Sequence, residues 1–568
     1  MKSITENQKI KVFLILIVLL SAFLRVWGIN WGLPYEYQSE EYKVIKYALR
    51  MGGGDLNPHS FEYPSLYYYF ILFVYGCYFL LGKFLGSFQS VNDFAQLFVR
   101  DPTNFYLIGR SLETLFGIGI IILTYQIGKK IFSRNVGVIS AFMMAILPSA
   151  INTGHVTKGD SAAIFLGLLF WLCTYKIYES GERKYYCLSG LLLGVAISAK
   201  YYMAIMGINL LMAHFLRDRK SLNNLIFSLV LIPLFFVIGS PYSLLSYPEF
   251  LKFFKDQSNS FTTFSGTSMN YVQRALFALQ RLLNMSDLKR NFLLGSYGFG
   301  FLSLTGAICL VWGRKKETFL LIVPIVTYFL VVATFYHPAA GYLAPIFPLF
   351  SICGSYLVCD VYKKMHWMRW IIFTFFLLAI PSSFGESVRI SYSYTLQDTR
   401  TIAKNWIDSN IPKGSKVLMD QLVSSPPLEM SEKQLRRYYD IAIKSNHYKK
   451  EFFRLKLETL DPAKKSYEIF LIKRSANEIG SLKHQVIEVQ KVQDLVEIRG
   501  DESDLETLRK KGIQYVIVNS IAKKNAVDSI PWLANFYNHL PGYAQLVKTF
   551  EPESSLHPGP IIQIYKLL

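Results

Sequence analysis

Long apolar runs separated by short charged loops fill the first two thirds of the chain. Stretches at 11–28, 108–127, 136–152, 161–178, 224–242, 293–313, 318–336, 341–360 and 368–386 approach the length a helix needs to cross a hydrocarbon core. A longer run, 186–216, is interrupted near Lys200 and reads as two passes, or as a dip that returns. The pattern predicts a polytopic α-helical membrane protein with about 11 transmembrane helices, because only helices satisfy their own backbone in lipid along such runs. The first run starts behind Lys2, Lys9 and Lys11, has no small-residue cleavage site, and ends in Arg25-Val26-Trp27. It reads as an uncleaved first helix.

After Ser387 the pattern changes: apolar runs shorten and charges become dense. Thr401 to Ile411 has the period of an amphipathic helix, with Trp406 on its apolar face. Pro412-Lys413-Gly414 is a turn, and Lys416 to Met419, Tyr515 to Val518 and Ile561 to Tyr565 read as strands. Strands alternating with helices predict a small soluble α/β domain over 389–568. Residues 1–388 form the membrane part, with outer loops at 29–107 and 243–292. The segment 430–500 reads only as a charged helical insertion.

Composition agrees: the 568 residues are 52% hydrophobic and 15% aromatic, too apolar for a soluble chain of this size. The formal net charge of +20 does not indicate nucleic acid, since much of the excess falls in short loops. These are Lys129-Lys130 with Arg134, Arg183-Lys184, Arg217 to Lys220, Arg314 to Lys316 and Lys363 to Arg369. A positive-inside bias puts all five, with the N-terminus, on the cytoplasmic face. That requires the aromatic segment 66–87 not to cross and 186–216 to pass twice or dip and return. The soluble domain then lies on the outer face. Six cysteines, none after residue 359, lie in or beside apolar runs without metal-ligand spacing.

Candidate chemistry gathers on the outer face. Glu40 and Glu41 follow the first helix, and a carboxylate at a membrane edge is a functional candidate; it can deprotonate a hydroxyl held within hydrogen-bond reach. Read blandly, the pair caps a surface helix. Asp160 closes a polar patch, Asn152 to Asp160, and by itself would be an N-cap. His155 with Asp160 is too little for a metal site. Arg25, Arg110, Lys158 and Lys200 are cations at apolar boundaries. Arg25 and Lys158 can snorkel, whereas Lys200 sits mid-run and calls for an anion such as a lipid phosphate. The stretch Tyr63-Pro64-Ser65-Leu66 with its following tyrosines shapes a groove or an interfacial aromatic belt.

The order of these motifs resembles the GT-C superfamily of membrane glycosyltransferases, in particular the protein O-mannosyltransferase-like and aminoarabinose-transferase-like enzymes. The resemblance rests on the acidic pair, Gly54 to Pro58, Tyr63 to Leu66, Gly109-Arg110-Ser111, Gly128 to Ser133, Pro148 to Asp160, Gly194 to Lys200 and Ser240-Pro241-Tyr242. It covers about residues 10–360 well and the terminal domain loosely. It implies inverting transfer from a polyprenyl-phosphate sugar to a hydroxyl acceptor at the outer membrane face, with no cofactor required. The first-loop acid would be the general base (Glu40, with Glu41 beside it), and Asp160 the second acid. Arg25, Arg110, Lys158 and Lys200 would hold the donor phosphate. Tyr63, Pro64, His155, Tyr201 and Tyr242 would line the substrate groove. Two departures from the family pattern stand out: Ser39-Glu40-Glu41 replaces Asp-Glu, and Gly341 precedes Tyr342 where a basic residue is usual. Two other readings remain open. One is a lipid-linked sugar transporter or flippase, which predicts repeated halves that the sequence lacks. The other is a catalytically inactive relative that binds glycolipid.

Overall fold

The computed structural model describes residues 5–217, 222–263, 270–285, 297–335, 340–361, 369–420, 424–473, 493–554 and 556–568. The basic stretches 218–220 and 363–368, parts of the expected outer loop 243–292 (264–269 and 286–292) and residues 474–492 of the charged insertion lie outside them.

The first eleven α-helices are α1 (Glu6–Val26), α2 (Ser39–Met51), α3 (Leu66–Phe84), α4 (Val91–Arg100), α5 (Thr103–Ile131), α6 (Arg134–Ala145), α7 (Pro148–Gly154), α8 (Asp160–Ser180), α9 (Arg183–Ala199), α10 (Ile208–Arg217) and α11 (Leu222–Gly239). Among the described residues seven helices are long and apolar enough to cross a membrane, or eight if the bent pair α6 and α7 is one span. Apolar helices follow at Tyr297–Gly313, Lys316–Ala333, Gly341–Asp360 and Arg369–Ser393. Small residues let the bundle close. A Cβ on Gly190 would meet the Ser228 carbonyl oxygen at 2.6 Å, and one on Gly194 the Ile232 carbonyl oxygen at 2.5 Å. Four residues apart, the two glycines form the face on which α9 packs against α11.

Described residues in or beside four of the basic loops meet at one end of this bundle. There Arg134 bonds Asn7, Lys130 pairs with Glu179 at 3.1 Å, the Arg217 guanidinium donates to the Tyr178 carbonyl at 3.1 Å, and the Tyr178 hydroxyl donates to Glu317 at 3.3 Å.

Helix α3 is long and apolar enough to be a span. At its start Glu62 accepts from Lys43 of α2 at 3.0 Å. Beyond its end the chain folds back, with Phe88 and Phe94 packed on Tyr78 and Phe79. Helix α4 then meets the helix Lys450–Glu458: Arg454 donates to Asn92 at 3.0 Å and Gln96 to Glu458 at 3.2 Å.

The soluble domain is a six-stranded sheet in the order β3-β2-β1-β4-β6-β5, made of β1 (Lys416–Met419), β2 (Glu468–Ile472), β3 (Leu495–Val496), β4 (Tyr515–Asn519), β5 (Ala544–Phe550) and β6 (Ile562–Leu567). The pairs β3-β2, β2-β1 and β1-β4 are parallel, while β4-β6 and β6-β5 are antiparallel. Apolar clusters cover both faces, as a parallel sheet requires. The expected helix runs Thr399–Asn410, its Trp406 packed on Phe550 with ring centroids 5.9 Å apart. The insertion contributes the helices Glu432–Lys444 and Lys450–Glu458 and the strands β2 and β3.

Candidate functional site

Glu40 and Glu41 open α2, and consecutive helical residues do not share a face. Glu41 points into the protein and is 1% exposed. Its carboxylate takes both arms of Arg110, at 2.9 and 2.7 Å, with the Thr157 amide and hydroxyl at 3.1 and 3.0 Å. Arg110 spends its remaining reach on the carbonyls of Ile29 and Trp31, at 2.7 and 2.8 Å. This buried fork-to-fork pair ties the first loop to α5 and to the polar patch. It corrects two expectations: Glu41 does not stand with Glu40 at an open site, and Arg110 is committed to protein groups rather than free for a donor phosphate.

Glu40 faces an opening and is 25% exposed. One oxygen accepts from Lys43 at 3.2 Å, and the other from the Tyr63 hydroxyl. Lys43 also reaches both oxygens of Glu62 at 3.0 Å. Burial alone pushes the Glu40 carboxyl up; Lys43, the Tyr63 hydroxyl and Lys158 outweigh it and hold it below the ordinary glutamate value. In the same way burial pulls Lys43 down, but Glu62 and Glu40 more than restore it.

Asp160 comes to this opening from the other side. Its Oδ1 accepts from Lys200 at 3.0 Å and from the Tyr202 hydroxyl at 2.8 Å. Lys200 is the extended residue (φ −150°, ψ 123°) at which α9 stops, and its ammonium lies 3.7 Å from the centre of the Tyr63 ring. Glu40, Tyr63, Lys200 and Asp160 therefore form one contiguous line. Lys158 acts electrostatically on both carboxylates, and its ammonium has no hydrogen-bond or ion-pair partner among the described residues. Tyr342, 38% exposed, faces the same charges.

Glu113, not singled out in the sequence, holds the patch that carries Asp160. Fully buried in α5, it accepts from the amides of Lys158 at 3.1 Å, of Ser161 at 3.2 Å and of Gly159. Gly159 is required there: its φ is +79°, and a Cβ would meet the Tyr67 ring at 2.7 Å. An acid inside an apolar run was the available signal.

The other expected residues divide. Pro64 is buried. The next residue, Ser65, joins the Tyr63 motif to the Ser240-Pro241-Tyr242 motif through its amide, which donates to the Ser240 hydroxyl at 3.2 Å. Half-buried Tyr201 packs on Phe236, Phe250 and Phe254, and Tyr242 is half-buried just beyond α11. His155 does not line a groove. It is fully buried, its nitrogens 2.9 Å from the Ile151 and Trp27 carbonyls and its ring stacked on Tyr394. Arg25 is 1% exposed, bonded to Ser21 within its own helix and packed against Gly117 and Gly154, which keeps it away from the opening. Among the described residues no group of three or more His, Cys, Asp or Glu is set to hold a metal ion.

Known proteins resemble this chain in sequence over a limited region and in fold over most of its length. Residues 106–244 match the family described as dolichyl-phosphate-mannose-protein mannosyltransferase. The Bacillus subtilis protein YycA, which carries a mannosyltransferase name, is 26% identical over 125 residues; the match spans 21% of this chain and 18% of that protein. The crystal structure of ArnT from Cupriavidus metallidurans bound to undecaprenyl phosphate superimposes with TM-score 0.54 at 11% identity, covering 99% of this chain and 98% of ArnT. The Archaeoglobus fulgidus oligosaccharyltransferase tethered to an acceptor peptide gives TM-score 0.51 at 13% identity, covering 97% of this chain and 74% of that one. The chain has the fold of the GT-C membrane glycosyltransferases. Its apolar helices and its neighbours together make it an integral membrane protein.

Proposed function

We propose that the chain transfers a sugar from a polyprenyl-phosphate carrier to a hydroxyl acceptor, with inversion, at the outer membrane face. The observation that carries this reading is the meeting of Glu40 and Asp160, from separate elements, around Tyr63 and Lys200 with the unpaired ammonium of Lys158 beside them. Glu40 accepts the proton of the acceptor hydroxyl. The acceptor oxygen bonds to the anomeric carbon as the bond from that carbon to the phosphate oxygen breaks, and the electron pair leaves with the phosphate. Lys158 and Lys200 stabilise the charge that develops there. Asp160 holds Lys200 in place, and Tyr63 orients Glu40. The carrier is already a phosphate leaving group, so the residues named meet both demands of the step, proton removal and charge stabilisation.

Both acids lie at the bundle end opposite the basic loops, and a positive-inside bias puts that end outside, together with the soluble domain. With α3 on the surface, and with α1, the α6–α7 pair, α9, α10 and Tyr297–Gly313 crossing, the path has the roughly 11 passes read from the hydropathy pattern.

The test is release of labelled sugar from a panel of polyprenyl-phosphate donors by purified protein. Glu40→Gln is expected to lower transfer about 10²–10⁴-fold, the range of a lost general base, and Asp160→Asn to lower it as well, at unchanged protein level. Unchanged transfer in both variants would remove the assignment.

A further inference from the structure

The face of α2 turned away from Glu40 carries a second group of charges that the proposed transfer does not use. Tyr42 and Lys46 lie one turn apart on it, facing residues 447–450 of the soluble domain. The Lys46 ammonium sits over the Tyr42 ring at 5.1 Å and over the Tyr448 ring at 5.2 Å. Lys449, next to Tyr448, and Glu36 are near enough to act electrostatically on each other and on Lys46. All three side chains are half-buried. Yet none lies within ion-pair distance of another charge among the described residues, and neither ammonium has a hydrogen-bond partner there. Lys456, which also acts on Glu36, is paired with Glu429 at 3.3 Å.

Burial pulls Lys46 down to about 8 and Lys449 to about 7, and pushes Glu36 up to about 7. Long flexible stems would carry two lysines apart and into water if nothing favoured their convergence. Partly desolvated cations need an anion, and one distant carboxylate does not serve two.

We infer that this gap between α2 and the soluble domain binds a phosphate-type oxyanion, held by Lys46 and Lys449 and walled by Tyr42 and Tyr448. Two ammonium point charges suit a multiply charged tetrahedral anion better than a planar carboxylate. A membrane lipid headgroup or free phosphate could supply it. The inference is independent of sugar transfer.

The experiment titrates inorganic phosphate into full-length protein in phosphatidylcholine nanodiscs, followed by phosphorus NMR. A Lys158→Met background silences the ammonium between Glu40 and Asp160. Saturable binding is expected; Lys46→Met and Lys449→Met should each weaken it about tenfold or more, the worth of one charge-assisted hydrogen bond. Glu36→Gln should tighten it, which also excludes misfolding as the cause of the losses. Nanodiscs containing phosphatidic acid should block the titration if a headgroup is the natural source and leave it unchanged if free phosphate is. Absence of saturable binding, indifference to both lysine variants, or weaker binding in Glu36→Gln overturns the inference.

Discussion

Two neighbouring glutamates divide two tasks, and their surroundings decide which takes which. Glu41 neutralises Arg110 in a dry setting; Glu40 keeps access to solvent. Removing one partner of a buried pair leaves the other charge uncompensated, at about 3–5 kcal/mol. Glu41→Gln should therefore lower thermal stability in detergent, and Glu41→Gln with Arg110→Met should recover part of the loss, whereas Glu40→Gln should leave stability near normal. Because Lys43 and its neighbours hold the Glu40 carboxyl below its ordinary value, the proposed base should stay ionised as pH falls, and transfer should be lost only below the ordinary glutamate range. Lys43→Met removes the largest of those influences, so the acidic limb of the pH–rate profile should move upward. An unmoved limb would mean that Glu40 is not the titrating base. That an acid after the first helix belongs to the proposed site was a reading the sequence allowed. The division between the two was not, because it depends on Arg110, 69 residues further on, and on Thr157.

Elements were legible where a single period rules. The apolar runs, the break at Lys200, the helix at Thr399–Asn410 and strands β1, β4 and β6 follow from hydrophobic spacing alone. Strand β2 did not, since its short apolar run lies between charged helices and gains its place only by pairing with β1. Helix α3 shows what hydropathy cannot decide: its composition suits a span, while aromatic packing beyond its end returns the chain to α4 and the soluble domain, as the one-sided arrangement proposed above requires. With native cysteines replaced, Ser87→Cys should react with an impermeant thiol reagent from the same side as Ser445→Cys and from the opposite side to Glu182→Cys. Labelling of Ser87→Cys with Glu182→Cys would make α3 a crossing and overturn the arrangement.

At the scale of the whole molecule, the soluble domain is joined to the membrane body by more than its linker. The Tyr37 hydroxyl and the Thr401 hydroxyl are 2.7 Å apart, and Arg400, paired with buried Asp398 at 2.7 Å, lies 3.9 Å over the Tyr37 ring. Thr399 donates to the Pro560 carbonyl at 2.6 Å, securing the β5–β6 connection at the same junction. Arg400→Ala strands a buried carboxylate, so faster protease cleavage around residues 394–400 and slower transfer are expected together; cleavage without a change in transfer would uncouple the domain from the reaction. The start of helix α2 is thus held by the domain through Tyr37, just ahead of it, and by the bundle through Glu41, with Glu40 between the two holds in sequence. If Glu40 is the base, as proposed above, it is mounted too firmly to go out to meet its substrate. Adaptability must come from the incoming molecule, which favours hydroxyls on supple tethers, such as unfolded segments or glycan ends, over those fixed on rigid surfaces.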